Sequence, residues 1–308
     1  VGELCRYLLA RPPCPDECNN SLDRIFGNGL RPDIWMEFKK RFGIDRICEF
    51  YGSSEGNIGF VNGLNKDRTM GTCAANIMLV QYDIDADKIV RDIDGKVVEV
   101  ATGEPGLLLG EIDDRYKFGG YTSKSASESK ILHDLAKPGD AWFNSGDLIR
   151  QVDVGFAMGL AHYQFVDRIG DTFRWRSENV ATNEVGEILN ANHQVEMANV
   201  YGVDIPAADG KAGMVSLVLK NDSLFDVEEF AAYVTRTLPV YAQPVFVRIQ
   251  REVSTTGTFK LLKGDLRKQA YHINQVSDEL YYMPARERQY HKLDDCAYQS
   301  LIDGVAGY

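Results

Sequence analysis

Asp167-Arg168-Ile169-Gly170-Asp171-Thr172-Phe173-Arg174-Trp175 separates two kinds of sequence. Upstream, from Ala75 to Arg150, apolar segments are short and broken by Gly, Pro and Asp. Lys88 to Val100 reads as a hairpin about Asp94-Gly95, with β-branched residues on both arms. Glu104-Pro105-Gly106 turns into the apolar run Leu107 to Leu109. Earlier still, Arg31 to Phe42 has helical periodicity. Pro32 suits the first turn, Gly43 suits the end, and Trp35, Phe38 and Phe42 share a face. Ile44 to Tyr51 is an apolar-rich strand running into a Gly-Ser loop. Helix, strand and loop in that order predict an α/β sheet, and ligands gather at loops beyond strand carboxyl ends in such sheets.

Downstream of the opening run the pattern restarts as a compact α+β unit. Thr182 is expected to cap a helix bearing Val185, Ile188 and Leu189. Val195–Val203, Met214–Leu219 and Val245–Ile249 read as strands. Asp226 and Glu229 have capping-box spacing ahead of a helix carrying Phe230, Tyr233, Val234 and Leu238, which Pro239 ends. The boundary therefore falls near Gly170, giving domains 1–169 and 170–308.

The chain has 308 residues, 44% of them hydrophobic, enough for one large or two ordinary domains. Its net charge of -11 argues against wrapping nucleic acid, which needs an excess of Lys and Arg. Apolar runs such as Gly213 to Leu219 are strand-length, too short to span a bilayer. The six cysteines are scattered, and Cys14 and Cys18 lack the second ligand pair that a zinc site needs. Reduced thiols are the expectation. The five histidines are isolated from any Ser or Cys partner at a triad-like motif. Of the basic cluster Lys260, Lys263, Arg267 and Lys268, the last three read as a solvated face.

Four motifs carry candidate chemistry: Tyr51-Gly52-Ser53-Ser54-Glu55-Gly56, Asn144-Ser145-Gly146-Asp147-Leu148, the opening run, and Thr256-Gly257-Thr258-Phe259-Lys260. The Glu55 carboxylate is a hard oxygen donor of the type Mg²⁺ takes. Asp147 follows Ser145-Gly146 in an expected turn, where a carboxylate can accept two hydroxyls. Arg168 offers a planar fork of donors, and Lys260 a compact ammonium. Gly170 is permissive in φ and ψ.

In this order the motifs resemble the C-terminal half of adenylate-forming acyl-CoA synthetases. The opening run is most similar to the fatty acid transport protein and very-long-chain acyl-CoA synthetase family. The resemblance implies the end of a large adenylate-forming domain, an α/β sheet plus a small β subdomain, followed by a compact α+β C-terminal lid domain. It implies ATP, Mg²⁺ and CoA as cofactors and a long-chain fatty acid as substrate, without nucleic acid. Tyr51 and Gly52 would lie at the nucleotide, with Tyr51 against the adenine, and Ser54 would contact the α-phosphate or its ion. Glu55 would hold Mg²⁺, Asp147 the ribose hydroxyls, and Arg168 the ribose or phosphate. Gly170 would be the interdomain hinge, where many relatives carry Asp or Lys. Lys260 would reach the carboxylate and α-phosphate. Trp175, Arg174 and Asn179 would turn towards the site for thioester formation. Ser177 stands where the family usually has glycine, which would narrow the pantetheine path.

The Thr/Ser/Gly-rich phosphate loop that the resemblance implies is not found, and the chain begins with Val. The expectation is a fragment lacking the N-terminal half and poor at adenylation alone. The intact protein is expected to be cytoplasmic or peripheral to the cytoplasmic face of a membrane, any membrane association running through the missing region. Two alternatives stay open: a carnitine-like, bile or medium-chain acid as substrate, or a non-catalytic nucleotide- or acyl-binding remnant.

Overall fold

The computed structural model describes residues 2–9, 11–53, 56–84, 86–220, 225–252 and 263–308. The chain divides into two compact units, Val1–Ile169 and Gly170–Tyr308.

In the first unit, helix α1 (Gly2–Leu9) precedes strand β1 (Arg24–Gly27), helix α2 (Pro32–Phe42) and strand β2 (Arg46–Gly52). The α2 boundaries follow from local chemistry. Pro32 occupies its first turn, and Gly43 takes a left-handed φ of 64° at its end, its N–H donating to the Lys39 carbonyl. Trp35 and Phe38 are buried, and the Phe42 ring packs tilted against Phe38 at 4.8 Å. Each such buried ring is worth roughly 1.5–3 kcal/mol. Because α2 lies between them, β1 and β2 can pair in parallel, Gly27 opposite Glu49. Both strands thus end at the same edge. Strands β3 (Gly59–Val61) and β4 (Thr72–Cys73) complete the order β1-β2-β3-β4.

The small β subdomain follows. Its strands are β5 (Ile77–Val80), β6 (Tyr82–Asp83), β7 (Lys88–Ile89) and β8 (Gly106–Glu111). After helix α3 (Lys124–Glu128) come β9 (Ile131–His133), β10 (Ala141–Val152) and β11 (His162–Arg168). The main sheet runs β11-β10-β8-β5, with β9 also pairing β10. The expected hairpin about Asp94-Gly95 forms: Arg91 bridges to Val97, the Asp92 N–H donates to the Lys96 carbonyl and the Val98 N–H to the Val90 carbonyl, while the outer ends pair elsewhere, β7 with β6 and Glu99 with Val80. The valines of the arms are part-buried, and only the tip is solvated, with Ile93 fully exposed.

The second unit opens with the hairpin β12 (Phe173–Trp175) and β13 (Glu178–Val180), then α4 (Thr182–Asn190), β14 (Val195–Asp204) and β15 (Lys211–Leu219). Next come α5 (Val227–Thr237), β16 (Phe246–Gln250), α6 (Gly264–Gln269), β17 (Glu279–Tyr282), β18 (His291–Lys292) and α7 (Asp295–Ile302). One sheet, ordered β14-β15-β16-β17-β18, carries a single core. Val185 and Leu189 of α4, and Phe230 and Val234 of α5, are buried in it.

Three local readings are corrected here. Thr182 is the first residue of α4, not its cap: Ala181 precedes it without a side-chain cap bond, and the Thr182 hydroxyl accepts from Lys263 Nζ at 2.7 Å. Only half of the capping box forms. Asp226 accepts from the Glu229 N–H at 3.0 Å, but Glu229 is drawn away to Gln194 and Asn192, and the Asp226 N–H goes to Gln194 Oε1. Lys263 and Arg267 are not a solvated face: Lys263 is 11% exposed at its side chain, and both pair with Asp171, at 3.6 and 2.8 Å. Lys268 is solvated, as expected.

Candidate functional site

The site starts from the alternation of β2. Residues two apart on a strand share a face, so Ile47, Glu49 and Tyr51 step towards the carboxyl edge. Ile47 and Glu49 are buried and Tyr51 is half-buried. The Tyr51 ring packs edge-on to Phe60 at 5.6 Å and against Phe165 at 6.5 Å. Its hydroxyl donates to Asp147 Oδ2 at 2.5 Å, across 96 residues of sequence.

Asp147 lies within strand β10, not in the turn expected for it. The strand is irregular there: Asn144 faces Leu109 and Leu148 faces Leu107, so the intervening residues bulge from the ladder. Gly146 takes φ 74° in the bulge, its N–H donating to Asn144 Oδ1. Ser145 Oγ donates to the Leu108 carbonyl and accepts from the Asp147 N–H. These bonds replace the missing ladder bonds and fix the direction of Asp147. On the other side β10 pairs with β11, Asp147 opposite Arg168. Arg168 Nε stands 3.8 Å from Asp147 Oδ1, with the Arg168 side chain 57% exposed and that of Asp147 17% exposed.

Burial pushes the Asp147 carboxyl upwards. The hydrogen bond from Tyr51 and the charges of Arg168 and Lys130 oppose that, while Asp167 adds to it. Burial, reinforced by the Asp147 charge, also holds the Tyr51 hydroxyl protonated. The pair is thus a phenol donor and a carboxylate acceptor, leaving Asp147 Oδ1 on the arginine side. A carboxylate held this way can accept vicinal hydroxyls.

Glu49 is a residue that the sequence reading passed over. It is 7% exposed, and its Oε1 accepts from the N–H groups of Gly29 (2.5 Å) and Leu30 (3.2 Å), in the loop after β1. Burial outweighs those two bonds and lifts its pKa to about 8. A charged residue inside a strand's buried face was the available signal.

Of the remaining expected residues, Gly52 ends β2 beside Tyr51. Ser54, Glu55 and Lys260 lie outside the described residues. Gly170 is the first residue of the second unit, and a β-carbon there would meet nothing within 4 Å. Trp175, expected at a cofactor, is a core residue of the second unit. It is 2% exposed, with Tyr308 at 6.4 Å, and it lines a cleft of about 210 Å³. Arg176, Arg286 and Arg288 stand at that cleft. Arg176 and Ser177 form the two-residue turn of the β12–β13 hairpin, with φ of 53° and 64°. Asn179 and Arg174 face each other across it.

Among solved structures, an anthranilate CoA ligase in complex with anthranoyl-AMP matches with a TM-score of 0.65 at 19% identity, over 88% of this chain and 49% of that one. The fold is thus that of adenylate-forming CoA ligases. Residues 184–260 match the family described as AMP-binding enzyme C-terminal domain. The chain is 44% identical, over 94% of its length, to the medium/long-chain-fatty-acid–CoA ligase FadD6 of Mycobacterium tuberculosis, and covers 47% of it. It is 40% identical, over 98% of its length, to long-chain fatty acid transport protein 6 of Mus musculus, and covers 49% of it. It is thus similar along nearly its whole length to fatty acid transport proteins and a fatty-acid–CoA ligase, and spans about half the length of these relatives. No helix among the described residues is long and apolar enough to cross a membrane.

Proposed function

We propose that this chain is part of an ATP-dependent long-chain fatty-acid–CoA ligase. The fatty carboxylate attacks the α-phosphate of ATP, giving acyl-AMP and pyrophosphate. The CoA thiol then displaces AMP to give the thioester. The observation that carries the reading is the Tyr51–Asp147–Arg168 cluster. Three motifs far apart in sequence meet at one half-buried carboxylate.

In this reading Asp147 accepts the ribose hydroxyls, oriented by the Tyr51 hydroxyl and flanked by Arg168. Tyr51 and Gly52 form the wall beside the nucleotide. Ser54 would contact phosphate, Glu55 would hold Mg²⁺, and Lys260 would neutralise charge on the α-phosphate. The Mg²⁺ would offset phosphate charge. Gly170 is the hinge between the two domains, 1–169 and 170–308. The argininyl rim near Trp175 suits an anionic substrate such as CoA. The intact protein works in the cytoplasm or at the cytoplasmic face of a membrane.

The test is fatty-acid-dependent exchange of pyrophosphate into ATP by the full-length gene product. Exchange with long-chain acids, lost on Lys260→Ala, is expected. A full-length protein that exchanges with none of the long-chain, medium-chain, bile or carnitine-like acids would instead favour a non-catalytic nucleotide-binding role.

A further inference from the structure

Lys130 is absorbed by none of the motifs. It sits in the turn between α3 and β9, and its carbonyl accepts from the Asn144 N–H at 2.8 Å. That bond sets Lys130 directly against the start of the Asn144–Asp147 bulge. Its side chain folds over the bulge: a β-carbon on Gly146 would stand 3.3 Å from Lys130 Nζ. The residue is half-buried, and its charge reaches Asp147. Yet its ammonium makes neither a hydrogen bond nor an ion pair within 4.0 Å among the described residues. The other lysines of this region differ. Lys137 pairs with Glu111 and Lys124 with Glu128.

An ammonium has three donors and no acceptor, and with no protein acceptor beside it Lys130 Nζ presents those donors to solvent or to an anionic ligand at the bulge. Asp147 is directed towards Tyr51 and Arg168 rather than towards Lys130. Gly146 is where a side chain would crowd Nζ, and glycine leaves that space open.

We infer that Lys130 is a second cation of the nucleotide site and donates to an anionic phosphate oxygen of the nucleotide whose ribose Asp147 holds. This rests on the nucleotide-binding reading above. It adds a phosphate contact on the β9–β10 side of the site, from a residue outside the four motifs. The contact acts on bound nucleotide and forms or breaks no covalent bond.

The two probes are AMP and adenosine, titrated calorimetrically against the full-length gene product. Lys130→Gln is expected to weaken AMP binding about tenfold, the scale of one charge-assisted hydrogen bond, and to leave adenosine within about twofold. Lys130→Arg should recover most of the AMP affinity, and the exposed control Lys124→Gln should change neither. Thermal melting of each variant checks the fold. If Lys130→Gln weakens AMP and adenosine equally, or neither, the phosphate contact is wrong while the nucleotide site stands. If the wild-type full-length protein binds neither ligand, the nucleotide reading falls and takes Lys130 with it.

Discussion

The two units solve different problems. The C-terminal unit packs both faces of one sheet into a continuous core, in which Phe230, Val234, Met214 and Phe246 are wholly buried. The N-terminal unit is pieced together: one small core lies around Trp35 and Phe38, another around Phe60, Phe143 and Ile149. The candidate site borders the second of these cores, where a strand bulges and buried carboxyl groups replace apolar contacts. Stability is concentrated where the chemistry is sparse. Polar groups occupy the place where the core is interrupted.

That contrast can be broken first at Phe230. Phe230→Ala should cost the C-terminal unit about 3–5 kcal/mol, because the core around it is closed and cannot collapse into the void. Chemical denaturation followed by a probe in that unit measures it. A loss under about 1 kcal/mol would mean the core is looser than it looks.

The second prediction concerns the N-terminal unit and pH. The Glu49 pKa, lifted to about 8 from 4.5 by burial, means that the folded state holds a proton the unfolded state has released. Stability from this group is present below about pH 4.5 and is lost as pH rises towards 8. Glu49→Gln should flatten that slope, by something on the order of a few kcal/mol across the window. Parallel slopes for wild type and Glu49→Gln would contradict it.

A smaller effect is expected at Tyr51. Tyr51→Phe removes the donor that half-buried Asp147 accepts, at about 1–3 kcal/mol. An unchanged denaturation midpoint would show that water replaces the phenol without loss. The smallest effect belongs to the hairpin turn of the second unit. Ser177 has φ 64°, in the left-handed region that glycine occupies without strain. Ser177→Gly should therefore be neutral to stabilising by about 1 kcal/mol. On the proposed ligase reading, the substitution in the intact protein should also raise the thioester rate while leaving adenylation unchanged, which separate half-reaction assays would detect.

Regular elements were legible because their signals are local. Pro32, Gly43 and the Trp35–Phe38–Phe42 stripe define α2 without tertiary information, and the strands of the C-terminal sheet announce themselves as apolar runs. The hairpin about Asp94-Gly95 was legible for the same reason, since its turn and β-branched residues are local, whereas the pairing of its outer ends with Val80 and β6 is not. Motif order brought Tyr51, Asp147 and Arg168 into one reading, but not their contacts. The bulge that directs Asp147 depends on β8 lying alongside β10, and no local sequence signal encodes that register. Lys263 and Arg267 resemble any basic helix start until Asp171 folds against them. Glu49 and Lys130 belong to no motif, and only burial and position distinguish them.

The most direct test of the central claim is AMP binding by the full-length gene product carrying Asp147→Asn, compared with wild type by calorimetry. Asparagine keeps the size of the side chain, loses the charge and replaces an acceptor oxygen with a donor, so a ribose held by a carboxylate should notice it. The account predicts saturable AMP binding by wild type and at least about a tenfold loss in the variant, with melting unchanged. Equal AMP affinity in the two proteins would contradict it.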